Sequence, residues 1–199
     1  VKTEKSMTAK SNYSGDAGRI EAAIADRTIA LVGLMGAGKS TVGRRLAETL
    51  GREFHDSDEE IEKAAGLAIS DIFTLHGEAE FRRGERRVLE RLLNEKPHVL
   101  ATGGGAYLDP ETRDLLREKA ITIWLNADLE TLWRRVSRRS HRPLLQTENP
   151  KGVLSQLLTE RTPIYEQADL VVRSQEGPHK ATVDSILKAL DVWSKGRHG

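Results

Sequence analysis

Gly33-Leu34-Met35-Gly36-Ala37-Gly38-Lys39-Ser40-Thr41 fits the pattern GxxxxGK[ST] and follows the apolar run Ile29 to Val32, where a strand should end. Glycines at these positions let successive backbone N–H groups turn inward on phosphate oxygens. Lys39 then supplies a mobile charge to the outer phosphates, and the Ser40 hydroxyl is placed to ligate Mg²⁺. From Thr41 onward, Val42, Leu46, Ala47 and Leu50 recur at helical spacing, which predicts a helix whose N-terminal dipole faces the phosphates. Pattern, preceding strand and following helix together favour a nucleoside-triphosphate loop, Gly36 to Thr41 at its centre, over a plain glycine turn.

Outward from this loop, short apolar runs alternate with amphipathic stretches of helical period. Strands are predicted at Thr28 to Val32, Glu53 to His55, His98 to Ala101, Ile121 to Leu125 and Leu170 to Arg173. Helices are predicted over Ser40 to Leu50, Glu59 to Ala65, Ile69 to Leu75, Glu78 to Leu93, Pro110 to Glu118, Leu129 to Arg138, Val153 to Tyr165 and Ala181 to Trp193. The class is therefore α/β: a parallel sheet with helices on both faces and ligands at the C-terminal strand ends. Residues 1–18 are rich in Lys, Ser and Thr and are expected to be a disordered tail, with 19–199 forming a single domain. Glu4, Asp16 and the lack of arginine before Arg19 argue against a transit peptide. Ile20, Ala23 and Ile24 can form one face of a short helix leading into the first strand.

Further candidates gather at the predicted strand ends. Asp56-Ser57-Asp58 follows the second strand: Asp56 can hold Mg²⁺, and Asp58 can take the proton of an attacking hydroxyl, while capping of the next helix by Asp56 or Ser57 stays open as the simpler role. In Phe81-Arg82-Arg83-Gly84-Glu85-Arg86-Arg87, Glu85 stands at i,i+3 from Arg82 and can steady its guanidinium for a bidentate grip on a carboxylate. Arg83, Arg86 and Arg87 are assigned to the surface. Gly103, Gly104 and Gly105 follow the third strand and suit a floor of backbone N–H groups under a small polar substrate. The basic segment around Arg134 to Arg142, running to about Lys151, suits a mobile lid at 137–151, with Arg142 reaching the transferred phosphoryl and Arg135 lying against adenine. Arg161, in Arg161-Thr162-Pro163-Ile164-Tyr165, can bring a second arginine to the substrate.

Composition narrows the classes. Lys plus Arg number 31 against 30 Asp plus Glu, so the net charge of +1 offers no broad basic surface for nucleic acid or a membrane. Cysteine is absent, which removes disulfides and thiolate metal sites. No apolar run approaches the roughly 20 residues that span a bilayer, and a soluble protein is expected. The 6 histidines show no metal-ligand spacing, and Trp124, Trp133 and Trp193 are expected to pack rather than bind.

Taken in order, the phosphate loop, Asp-Ser-Asp, FRRGE, GGGA, RPLL at Arg142 to Leu145 and RTPIY resemble the shikimate kinase family over about Thr28 to Leu190. The resemblance implies a three-layer P-loop kinase fold, five parallel strands flanked by helices with a mobile lid, and transfer of the ATP γ-phosphoryl to the 3-hydroxyl of shikimate. It also implies that Asp58 bonds the shikimate hydroxyls, that Arg82 and Arg161 hold its carboxylate, and that Gly103, Gly104 and Gly105 form a glycine-rich wall. Lys39 and Arg142 then serve the phosphates, Ser40 and Asp56 the Mg²⁺, and Arg135 with Pro178 flank adenine. A monomer in the cytoplasm of a bacterium, or in a plant plastid, is the setting such a kinase implies. The longer N-terminal stretch and the arginine-rich 82–87 run depart from the family pattern without touching its motifs. A gluconate kinase and an ATP-binding switch protein are the rivals; neither calls for FRRGE, GGGA and RPLL together.

Overall fold

The strand β1 (Thr28–Val32) is buried at all five positions because it is the middle strand of the sheet. The computed structural model describes residues 14–138, 147–174 and 177–196. Beside β1 lie β2 (Phe54–Asp56), β3 (Val99–Ala101), β4 (Ala120–Asn126) and β5 (Leu170–Arg173), in the order β2-β3-β1-β4-β5 with every pairing parallel. The near-continuous apolar runs of β1, β3 and β4 suit strands covered on both faces. At the sheet edge, β5 buries Val172 but leaves Val171 and Arg173 exposed. From β1 the chain runs out to β2, returns to β3 beside β1 and then crosses to β4 on the other side of β1, and parallel sheets receive ligands in the crevice at such a switch point.

The helices are α1 (Ser14–Ala23), α2 (Lys39–Leu50), α3 (Ser57–Ala65), α4 (Ile69–Leu93), α5 (Pro110–Lys119), α6 (Leu129–Val136), α7 (Pro150–Tyr165) and α8 (His179–Gly196). Their starts are chemically marked: the carboxylates of Asp56, Asp109 and Asp128 accept from backbone N–H groups at the heads of α3, α5 and α6, and Asn149 does so for α7. Such a cap contributes about 1 kcal/mol. Gly77 (φ 78, ψ 171) breaks α4, dividing it where the sequence predicts two helices. Within α2, a Cβ on Gly43 would stand 2.6 Å from Phe54 Cε2, so the missing side chain lets this helix lie close on the sheet.

Two expected boundaries are corrected. Helix begins at Ser14, ahead of the expected tail limit at residue 18, because Ala17, Ile20 and Ile24 are buried and α1 packs on α2 and α8. The Arg52 side chain, 3 % exposed, fastens it: Nε donates to both Glu21 carboxylate oxygens, Nη2 to the Ile24 carbonyl and Nη1 to the Arg27 carbonyl. Of the segment 137–151 expected as a lid, Pro150 and Lys151 belong instead to α7, which starts at the Asn149 cap with Pro150 in its first turn. Residues 139–146, which include Arg142, lie outside the described residues, as do 1–13 of the expected tail.

Candidate active site

The phosphate loop turns out of β1 through Gly33 (φ 134), Gly36 (φ 84) and Gly38 (φ 95), a left-handed backbone that other residues rarely adopt. Space is as restrictive as φ: a Cβ on Gly36 would lie 2.8 Å from Val136 Cγ1, and one on Gly33 2.9 Å from the Leu125 carbonyl oxygen. Lys39, the first residue of α2, donates from Nζ to the carbonyls of Gly33 (2.7 Å) and Leu34 (3.2 Å), which lays its charge across the loop. Ser40 Oγ donates to Asp56 Oδ2 at 2.6 Å, while Asp56 Oδ1 accepts the Asp58 N–H at 3.1 Å. Asp56 therefore caps α3, the simpler of the two roles left open by the sequence, while its other oxygen faces the Ser40 hydroxyl.

Arg135 sits on the outside of this loop. Nη1 donates to the carbonyls of Gly36 and Ala37 (3.2 Å each) and to Ser174 Oγ (2.9 Å), and Ser174 Oγ donates in turn to the Ala37 carbonyl at 2.8 Å. Burial lowers the Arg135 pKa. The guanidinium thus braces the loop backbone, a role the sequence does not suggest. Pro178 stands exposed at the head of α8, where its carbonyl accepts the Ala181 N–H at 2.9 Å.

The glycine run after β3 is where the other candidates meet. A Cβ on Gly103 would stand 2.6 Å from Asp58 Oδ1 and 3.1 Å from Glu85 Oε1, and one on Gly105 would stand 2.7 Å from Arg82 Nη2. Only hydrogen at both positions allows the carboxylate and the guanidinium to approach the floor. Gly104 touches the phosphate loop, its Cβ position lying 3.4 Å from Met35 N, so the two half-sites adjoin. The Gly104 carbonyl accepts from Arg161 Nη1 (3.3 Å) and from the Tyr165 hydroxyl (2.6 Å), and the Gly103 N–H donates to Ser57 Oγ at 2.8 Å.

Arg82 is fixed by Glu85 at 2.6 Å, and Glu85 is only 2 % exposed. Burial pushes the Glu85 carboxyl up, against the pull of the Arg82 charge, and Asp58 and Asp109 push it further. For Arg82 burial acts downward, and the charge and hydrogen bond of Glu85 overcome it, leaving the guanidinium raised and firmly cationic. Phe81 lies under the guanidinium at 5.2 Å and meets Phe73 ring to ring at 4.5 Å, an apolar wall next to the charged grip.

Of the residues singled out by sequence, Lys39, Ser40 and Asp56 meet at the phosphate loop, and Asp58, Arg82, Gly103, Gly104, Gly105 and Arg161 meet at the adjoining floor. Arg86 is not purely a surface residue: it pairs with Asp109 (3.5 Å) and Glu111 (2.8 Å), tying α4 to α5. Sequence reasoning missed Ser57 and Tyr165, which lay inside quoted motifs, and Ser174, for which no local pattern exists. Trp124 is 4 % exposed and packs as expected. Among the described residues no group of three or more His, Cys, Asp or Glu is arranged for a metal ion. Magnesium at a nucleotide does not need one, since it takes one or two protein oxygens with phosphates and water completing its shell. Hard oxygens of Ser40 and Asp56 at the loop fit that demand.

Comparison with known proteins agrees with this geometry. The shikimate kinase family model matches residues 35–191. Similar curated proteins are the shikimate kinase of Rhodopseudomonas palustris, 50% identical over 188 residues (94% of this chain, 93% of the relative), and that of Caulobacter vibrioides, 56% identical over 164 residues (82% of each). A solved shikimate kinase from Acinetobacter baumannii, in complex with shikimate, has a TM-score of 0.82 at 42% identity, covering 88% of this chain and 98% of that one. A gluconokinase from Sinorhizobium meliloti, at 22% identity and a TM-score of 0.58, shares the fold.

Proposed function

The chain belongs to the shikimate kinase family, and we propose how its residues divide the reaction: transfer of the γ-phosphoryl group of ATP to the 3-hydroxyl of shikimate, giving shikimate 3-phosphate and ADP, in aromatic amino-acid biosynthesis. The observation that carries the assignment is the meeting of Asp58, Arg82 and Arg161 at Gly103–Gly105, directly beside the phosphate loop. Phosphoryl transfer depends mainly on positioning and on neutralising charge. Loop N–H groups from Gly36 to Thr41 cradle the phosphates, and Lys39 exchanges its carbonyl partners for the outer phosphate oxygens. Arg82 and Arg161 grip the shikimate carboxylate, which turns the ring so that the 3-hydroxyl faces Asp58. Asp58 accepts that hydroxyl's hydrogen bond, aligns its oxygen for in-line attack and takes its proton late.

Mg²⁺, held by Ser40 and Asp56, would draw charge from the β- and γ-phosphate oxygens. Arg142 belongs to the proposed lid and would bring a further cation to the transferred group. Arg135 acts from the loop's outer face and reaches toward the nucleotide base with Pro178. One chain supplies both the ATP-facing and the shikimate-facing groups, which supports a monomer. No described helix is long and apolar enough to cross a membrane, in keeping with the cytoplasmic setting we propose.

The test is ADP release by protein, ATP and Mg²⁺ with either shikimate or gluconate. Turnover is expected with shikimate and to require Mg²⁺. Turnover with gluconate alone overturns the assignment.

A further inference from the structure

We propose that Tyr165 is a positioning residue for shikimate: its hydroxyl fixes the Gly104 carbonyl, which aims the Gly104–Gly105 peptide at the substrate and spares the Arg161 guanidinium for the substrate carboxylate. The inference rests on the reading that Arg161 and the glycine floor bind shikimate.

Tyr165 is 1 % exposed at the end of α7, one helical turn beyond Arg161 and on the same face. Both side chains donate to one acceptor, yet the tyrosine bond is short (2.6 Å) and the arginine bond long (3.3 Å). The carbonyl is therefore served chiefly by the neutral donor. Were the hydroxyl removed, the charged donor would be drawn onto the carbonyl and away from the substrate, since an unsatisfied acceptor in this partly buried place is costly. Burial raises the Tyr165 pKa against the pull of Arg161, which keeps the hydroxyl protonated and able to donate.

The peptide plane extends the effect. In a trans amide the C=O and the following N–H point in opposite directions, so holding the Gly104 oxygen toward α7 also fixes the direction of the N–H of Gly105, the residue whose Cβ position lies 2.7 Å from Arg82 Nη2. Glycines resist reorientation weakly, and an external holder matters more here than it would for a substituted backbone. The holder itself is stiff. Its ring is stacked between Tyr107 (6.4 Å, 17°) and Trp124 (6.0 Å, 24°), and Trp124 Cδ1 lies 3.2 Å from the Cβ position of Gly33 in the phosphate loop. Tyr165→Phe would keep this stack and delete only the hydroxyl.

Calorimetry on the full chain separates the outcomes. Tyr165→Phe is expected to weaken shikimate binding about five- to tenfold, the worth of roughly one hydrogen bond, with ATP binding unchanged and the KM for shikimate rising more than kcat falls. Added to Arg161→Ala, the same change is expected to cost much less than it does alone, because part of its effect runs through Arg161. Equal weakening of ATP and shikimate, or strict additivity in the double variant, would overturn the proposal. If wild type binds shikimate and Arg161→Ala loses it while Tyr165→Phe matches wild type, this inference fails and the clamp stands. A wild type that does not bind shikimate overturns both.

Discussion

Gly103→Ala is expected to remove most catalysis while leaving the fold and ATP binding nearly intact. The added methyl would stand 2.6 Å from Asp58 Oδ1, whereas ordinary contact begins near 3.4 Å, so the carboxylate must retreat by about 0.8 Å. Asp58 has little room to absorb this by rotation, because its side chain is short and its backbone N–H is held by Asp56 at 3.1 Å in the first turn of α3. The methyl also crowds Glu85 Oε1, 3.1 Å from the same point, and so disturbs the carboxylate that holds Arg82. A misplacement of about 1 Å costs about 10²-fold in rate, or about 2.7 kcal/mol of transition-state stabilisation. The backbone adds no strain, because Gly103 is outside the positive-φ set. Gly105→Ala serves as the comparison: its methyl would meet the Arg82 guanidinium at 2.7 Å, so the loss is expected in shikimate affinity more than in kcat. Coupled ADP-release assays give kcat and KM for each, and thermal melts check the fold. A folded Gly103→Ala enzyme with wild-type kcat would refute the placement of Asp58 in the chemistry.

Lys39→Met should lower kcat by about 10²-fold or more, as loss of a charge-stabilising group does, with the melting temperature little changed; near-normal turnover would remove Lys39 from the transition state. Arg142→Ala should cost mainly kcat, by about 10³–10⁵-fold if it acts as an arginine finger does, and amide exchange in 137–149 should slow only when ATP and shikimate are both present. Burial holds the His98 pKa below its ordinary value, with the neighbouring His55 acting in the same direction and a hydrogen bond to the Lys96 carbonyl opposing it. The unfolded chain then gains a proton near pH 6.5 that the folded chain resists, and stability is expected to drop as pH falls below about 6.5. His98→Gln should flatten that part of the melting-temperature profile between about pH 7 and pH 5; an unchanged slope would show that other groups set it.

The sheet and the phosphate loop were legible because they rest on local signals: apolar runs of strand length, glycines at fixed offsets, and helical period after Thr41. Asp56, Asp58 and the glycine run were legible through their position after strands, which parallel topology converts into proximity. Arg82 was marked by Glu85 at i,i+3, whereas Arg161 needed the company of the other motifs, since an arginine in a helix carries no mark of where it points. Arg135 shows the limit. Its partners, the Gly36 and Ala37 carbonyls and Ser174, are far away in sequence, and only the packed order β1-β4-β5 brings them together. The early start of α1 was hidden for a similar reason: a polar stretch with few apolar residues looks disordered until Ile20 and Ile24 find α2 and α8.

The Arg52 guanidinium makes the first helix part of the domain's cooperative unit. A hydrogen bond to a charged group contributes about 1.5–3 kcal/mol net, and Arg52 would exchange Glu21 and Ile24 for water if α1 peeled away. Fraying of α1 alone is thereby opposed by these bonds together with the burial of Ile20 and Ile24 against α2 and α8. Amides of residues 20–24 should exchange with solvent through the same opening event as β1, and a protease should find this segment only in molecules that have unfolded as a whole.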